Sequence, residues 1–117
     1  MKKIYVAGPY SCENRCDGVG VSLDSMRRGI WASQQLLLYG FAPFCPWLDF
    51  MFHFVGPAPP SRIHYCQYSL EWLKVSDALF VIELKESSVG TQKEIELAGE
   101  LNIPIFYDLD ELLKWGE

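Results

Sequence analysis

The segment Ser87-Ser88-Val89-Gly90-Thr91-Gln92-Lys93-Glu94-Ile95-Glu96-Leu97-Ala98 holds the residue types best suited to chemistry. The apolar run from Ala78 to Ile82 before it reads as a buried strand, and Thr91 to Leu101 reads as an amphipathic helix. A short Ser/Gly loop thus carries a strand end into a helix N-terminus, where backbone N–H groups and the helix dipole favour an anion. Glu94 falls in the expected first turn. The pattern Thr91-x-x-Glu94 is also a capping box, which would give Glu94 a purely local role. Helical phase offers a second role. Glu94, Leu97, Ala98 and Leu101 share one face, while Lys93, Glu96 and Glu100 lie away from it. A carboxylate on a buried face beside an anion-binding loop is a candidate functional group.

The elements that must position this segment follow from the rest of the chain. Its 117 residues suffice for one domain with a core, spanning 1–117. Half are apolar, which is a globular composition. The net charge of −5 argues against general binding to nucleic-acid polymers or anionic membranes. No apolar run approaches a membrane span, and Met1-Lys2-Lys3-Ile4 enters a strand rather than a signal peptide, so a soluble cytoplasmic protein is expected. Cys12, Cys16, Cys45 and Cys66, with His53 and His64, fit no metal-ligand spacing. Reduced, partly buried thiols are the better reading.

Ile4-Tyr5-Val6-Ala7 reads as a central parallel strand that stops at Gly8-Pro9. A long loop from Gly8 to about Leu23 follows, then a helix capped by Asp24 or Ser25, with Ile30, Leu36 and Leu37 among its apolar positions and Gly40 as its stop. Phe41 to Phe44 is a strand that Pro43 assigns to an edge. Cys45 to Ser61 is a second long connection, rich in proline and carrying Trp47, Phe50, Phe52 and Phe54. These aromatics suit either a satellite core or a wall for a flat ligand such as a nucleobase. Ile63 to Val75 reads as a helix, Asp77 to Ile82 as the third strand, Ile103 to Tyr107 as the last, and Leu109 to Trp115 as a terminal helix begun by Asp108 or Asp110. Alternating strands and helices call for an α/β, doubly wound, flavodoxin-like or Rossmann-like parallel sheet of four or five strands with helices on both faces. Ligands of such folds bind beyond the carboxyl ends of the strands. The loops Gly8 to Leu23, Cys45 to Ser61 and Leu84 to Thr91 all land there.

The start Ile4-Tyr5-Val6-Ala7-Gly8-Pro9-Tyr10-Ser11, the strand between Gly40 and Pro46, and Ser88-x-Gly90-x-x-x-Glu94-x-x-x-Ala98 resemble the nucleoside 2-deoxyribosyltransferase superfamily. Leu70-Glu71-Trp72-Leu73-x-x-x-Asp77 is similar to a run in its 2′-deoxynucleoside 5′-phosphate N-hydrolase branch. The small size and the opening also look like short bacterial and phage members. The resemblance implies that Glu94 attacks the anomeric carbon of a deoxyribose and displaces the base. The glycosyl ester is then resolved by water or by another base. It implies a nucleoside or nucleotide as the small-molecule partner, no cofactor, no metal, and a dimer or larger assembly in which a neighbouring subunit helps to close the site. Tyr10 is either a hydrogen-bond partner that holds the nucleophile or an ordinary loop aromatic. Gly8, Pro9, Ser69, Ser88, Gly90 and Thr91 fall in the substrate-binding positions. Ser88 and Gly90 match those that meet a 5′-phosphate, and Arg15, Arg27 and Arg28 could add positive charge. Arg62 reads better as a solvated helix end. The tryptophans Trp31, Trp47, Trp72 and Trp115 suit a buried interface or a core equally well.

The sequence departs from the resemblance at one chemically important position. The superfamily places an aspartate immediately before Leu70-Glu71-Trp72-Leu73, where this chain has Ser69. A hydroxyl has no useful acidity near neutral pH and cannot protonate a leaving base. Asp49, Glu71 and Asp77 are the available replacements, with Asp49 favoured by its loop and Asp77 better read as a strand-start residue. A substrate with a cationic base would need little protonation. A protein that binds nucleotides without turnover is the competing reading.

Overall fold

A strand buried on both faces needs apolar residues at every position, and Ile4, Tyr5, Val6 and Ala7 meet that need. They form β1 (Lys3–Ala7) at the centre of a four-stranded, all-parallel sheet. The computed structural model describes residues 1–8, 23–56, 58, 60–82 and 89–117. In chain order the further elements are α1 (Leu23–Leu38), β2 (Ala42–Phe44), a 3₁₀ segment (Pro46–Phe54), α2 (Arg62–Lys74), β3 (Ala78–Val81), α3 (Val89–Glu100), β4 (Ile105–Phe106) and α4 (Leu109–Trp115). The sheet order is β2-β1-β3-β4, with Tyr5 opposite Phe44 on one side and Leu79 on the other. The expected doubly wound α/β class is therefore observed.

Side-chain alternation along β1 splits the core in two. Ile4 and Val6 pack with Ala32 and Leu36 of α1, Phe80, and Leu112 of α4. Tyr5 and Ala7 pack on the other face with Leu73 of α2, Leu79, Val81 and Ala98 of α3. The chain winds from β1 out to β2 and then back past β1 to β3 and β4. Right-handed crossovers must then put α1 on one face and α2 and α3 on the other, as observed.

Local signals set the element ends. Gly40, with φ +92°, closes α1: its N–H donates to the Leu37 carbonyl and that of Phe41 to Leu36. Asn102, with φ 59°, closes α3 in the same way, through its own N–H to Gly99 and that of Ile103 to Ala98. Ser61 caps α2 in a box with His64, whose Nδ1 accepts from the Ser61 N–H at 3.0 Å. The Asp108 carboxylate caps α4 by accepting from the Asp110 N–H. Lys2 ties that helix to β1, its ammonium lying 4.1 Å over the Trp115 ring.

Several expected boundaries shift. α1 begins at Leu23, ahead of Asp24 and Ser25, so neither is its cap. Most of the Cys45-to-Ser61 connection is the 3₁₀ segment rather than irregular loop. β4 retains only Ile105 and Phe106, since it pairs on one side alone, with β3. On α1, Leu36 is buried as expected, but Ile30 and Leu37 face solvent.

Asp77 lies at the amino end of the sheet. Its Oδ2 accepts from the Lys3 N–H at 2.7 Å, and its own N–H donates to the Lys3 carbonyl at 2.7 Å. The pair locks the start of β3 to β1. Asp77→Ala is expected to lower the unfolding free energy by about 0.5–1.5 kcal/mol in urea titration. Asp77→Asn, which keeps an acceptor oxygen, is expected to recover most of that loss.

Candidate functional site

The winding reverses between β1 and β3, and a sheet of this kind places its ligand crevice beyond the carboxyl ends of the strands at that reversal. Two hydrogen bonds fix its floor. The Ile82 N–H donates to the Ala7 carbonyl at 2.8 Å and holds the strand exits together. The Thr91 hydroxyl donates to the Gly8 carbonyl at 2.5 Å, a buried bond across 83 positions of sequence. The first turn of α3 is thereby tied to the exit of β1.

This bond changes the role of Thr91. The helix starts at Val89, so Thr91 is its third residue and not a cap. The capping-box reading fails, and Glu94 stands in the second turn rather than the first. The helix dipole acts mainly within the terminal turn, so it is a weaker aid to Glu94 than the sequence suggests. The Thr91 hydroxyl proton is committed to Gly8, and the two residues shape the site through that bond.

Glu94 is only 2% exposed. It occupies the sheet-facing row of α3 with Thr91 and Ala98, whereas Leu101, expected on the same face, is exposed. Among the described residues one other carboxylate is buried: Asp49, at 4% exposure. A buried carboxylate costs several kcal/mol of lost hydration unless protein groups or a ligand compensate it. Such groups gather at functional sites.

Ser69 is placed by the same logic. Tyr65, Ser69 and Leu73 recur every four residues along α2, and all three are buried. Leu73 and Ala98 share one core cluster. Both helices run antiparallel to the strands, so one turn beyond that cluster, toward the crevice, the next sheet-facing residues are Ser69 and Glu94.

Asp49 comes from the 3₁₀ segment, where side chains three apart eclipse one another. Its row is Pro46, Asp49 and Phe52. Phe52 packs edge-on to Tyr68, the neighbour of Ser69, at 6.1 Å. Tyr68 in turn meets Phe44, which stacks on Trp72 and leans on Tyr5. Phe52 thus works as satellite core while half its surface stays open, and Phe54 is exposed. The segment begins two residues after the carboxyl end of β2.

The two other candidate acids lie elsewhere. Asp77 sits at the opposite end of the sheet. Glu71 is exposed and pairs with Lys74 at 2.9 Å. Pro9, Tyr10, Arg15 and Ser88 lie outside the described residues. Gly90 belongs to the first turn of α3, and Arg27 and Arg28 are exposed on α1. Among the described residues no cluster of metal-ligating side chains occurs, and Cys45 and Cys66 are free thiols. No helix among them is long and apolar enough to cross a membrane. Tyr5 and Tyr65 were not anticipated. Both are buried phenols on the side of α2 and α3, and the signal for Tyr5 was a polar-tipped residue inside an apolar strand.

Thr91→Val removes the hydroxyl and keeps the shape. It is expected to cost about 1–3 kcal/mol, because the buried Gly8 carbonyl loses its donor. Thr91→Ser should retain most of the stability, with thermal unfolding as the measurement.

Comparison with known proteins found no family model that matches the chain. It found no match among curated proteins either. Among solved structures, the chain is similar to a conserved protein from Enterococcus faecalis V583, with a TM-score of 0.68 and 20% identity. The match covers 90% of this chain and 61% of that one, so the chain spans about three fifths of its length. At that identity the likeness shows the shared fold.

Proposed function

We propose that the chain binds a nucleoside or nucleoside 5′-monophosphate in the crevice between β1 and β3 and acts on its N-glycosidic bond, with Glu94 as the nucleophile. The observation that carries this reading is the burial of Glu94 on the sheet-facing row of α3, beside the strand exits. In the reaction a Glu94 oxygen bonds to the anomeric carbon as the carbon–nitrogen bond breaks. The base leaves with the bonding electrons and takes up a proton. Water or a second base then attacks the same carbon and frees Glu94, giving hydrolysis or transfer. No cofactor enters this scheme.

The proton for the leaving base is assigned to Asp49. Support comes from its burial in the 3₁₀ segment that follows β2 and from the exposure or distance of Glu71 and Asp77. Ser69, buried on α2, can donate a hydrogen bond but not a proton at neutral pH. The backbone at the start of α3, with Gly90, is assigned to a 5′-phosphate. Tyr10, Pro9 and Ser88 keep the roles that the resemblance implies for them. The free thiols Cys45 and Cys66 are compatible with a cytoplasmic setting.

Base release from a panel of nucleosides and 5′-monophosphates tests the reading. Glu94→Gln is expected to abolish release with unchanged circular dichroism, since the amide keeps the shape of the side chain. Asp49→Asn should lower the rate by roughly 10²–10⁴ for a neutral base and far less for a cationic one. Unchanged release in Glu94→Gln would falsify its role as nucleophile. The second reading, a nucleotide binder without turnover, is favoured by Ser69. It predicts a ligand-dependent rise in melting temperature with no base released by the unmodified chain.

A further inference from the structure

The link between the 3₁₀ segment and α2 has few donors with which to anchor itself. Residues 55–60 include Pro57, Pro59 and Pro60, and proline carries no backbone N–H. Ser61 supplies the next N–H, which donates to Nδ1 of His64 at 3.0 Å. Phe52, ahead of the link, rests edge-on against Tyr68, one turn beyond His64 on α2. Two contacts on the first two turns of α2 thus seat the connection that carries the buried Asp49.

The residue that closes this cap differs from the usual one. A capping box ordinarily places Glu or Gln at the third helical position, and both accept hydrogen bonds throughout the neutral range. Here that position is His64. A ring nitrogen accepts only while it carries no proton. The Ser61 N–H aims its proton at Nδ1, so the neutral ring bears its own proton on Nε2. The Ser61 hydroxyl oxygen lies 3.0 Å from the same nitrogen and accepts from the His64 N–H at 3.5 Å. Once protonated, Nδ1 can only donate. It then opposes the Ser61 N–H as donor against donor, and the Ser61 oxygen has to serve Nδ1–H and the His64 N–H together. The new positive charge also stands in the first turn of α2, at the positive end of the helix dipole. Both effects open the cap.

Neighbouring charge does not offset this. Among the described side chains, Tyr68, Glu71 and Lys74 are the titratable groups that share a groove with His64; all three belong to α2, and α3 contributes Leu97. Glu71 stands seven residues on, roughly 10 Å along the axis. Its carboxylate is paired with Lys74 at 2.9 Å. From the 3₁₀ segment the contact on this stretch is Phe52 on Tyr68, which is uncharged. Ser61 and His64 are both exposed, so solvent protons reach the ring.

We infer that His64 is a pH-sensitive latch: its neutral ring closes the cap that seats the connection from Cys45 to Ser61 on α2, and protonation releases it. The bond belongs to the neutral form alone, so its stabilisation is present above the histidine titration range, about pH 5 to 8, and is lost as pH falls through it. The inference does not depend on the activity of Glu94. Hydrogen exchange of the full chain tests it, each protection factor being referred to the intrinsic rate at its own pH. Protection of the Ser61 N–H is expected to fall roughly fivefold from about pH 8 to about pH 5, and the 3₁₀ segment should lose protection with it. His64→Gln keeps an acceptor that does not titrate, so it should hold the Ser61 protection level across the range. His64→Ala should show the low protection at both ends. His53 is present in every variant, so a fall caused by that residue would persist in His64→Gln. Nitrogen chemical shifts of the His64 ring should show the neutral-form proton on Nε2. Equal Ser61 protection at both pH values in the unmodified chain, a fall that persists in His64→Gln, or a neutral ring protonated on Nδ1 would each overturn the latch.

Discussion

The structure depends on two parallel strands that end side by side while their connections leave to opposite faces. β1 sends the chain to α1 on one side of the sheet, and β3 sends it to α3 on the other. Among the described residues no backbone crosses between the two exits. The gap would be a weak point if nothing spanned it, and two hydrogen bonds do: Ile82 to Ala7, and Thr91 to Gly8. The second joins a helix start to a strand end with a side chain. It fixes where α3 begins to face the sheet, and so fixes the depth at which Glu94 is buried.

Around that gap, polar burial is supported by apolar packing one turn away. Leu73 and Ala98 lie in a cluster with Tyr5, Ala7, Leu79 and Val81. Ser69 and Glu94 are the next residues outward on the same two rows. The cost of desolvating a carboxylate on α3 is borne by a helix anchored through this apolar cluster. Asp49 is held differently. It rides on a short 3₁₀ segment whose far end rests on Tyr68 through Phe52. The two buried carboxylates thus come from different supports, Glu94 from a helix and Asp49 from a 3₁₀ segment.

Much of this was legible in the sequence where the controlling physics is local. The apolar run of β1, the edge character that Pro43 gives β2, the stop at Gly40 and the cap at Asp108 each follow from one residue type in one conformation. The fold class followed from the alternation of elements. What could not be read depends on distant partners. Thr91 and Glu94 have the spacing of a capping box, but the Thr91 hydroxyl finds a carbonyl 83 residues away and the helix starts earlier. Periodicity announced that α1 is apolar without saying which stripe meets the sheet, because Leu36 and Leu37 are equally hydrophobic. Trp72 and Trp115 proved to be packed on Phe44 and Phe106, while Trp31 stands in solvent. Tyrosine in a buried strand reads as apolar until its neighbours are known.

The serine at position 69 takes on a physical meaning once α2 and α3 are seen to be neighbours. A carboxyl there would stand on the sheet-facing row of the helix beside that of Glu94. Two like charges in such a place repel strongly, because little water screens them. A hydroxyl at that position carries no such charge. The same exchange removes a proton source from α2. If base departure is still assisted, the proton must come from a group on another element, and Asp49 is the buried carboxylate that remains among the described residues. On the proposed reading, a serine at position 69 places the two duties on separate elements. The proposed nucleophile would then stand on α3 and the proposed acid on the 3₁₀ segment, so the 3₁₀ segment, rather than α2, would decide which leaving groups are served.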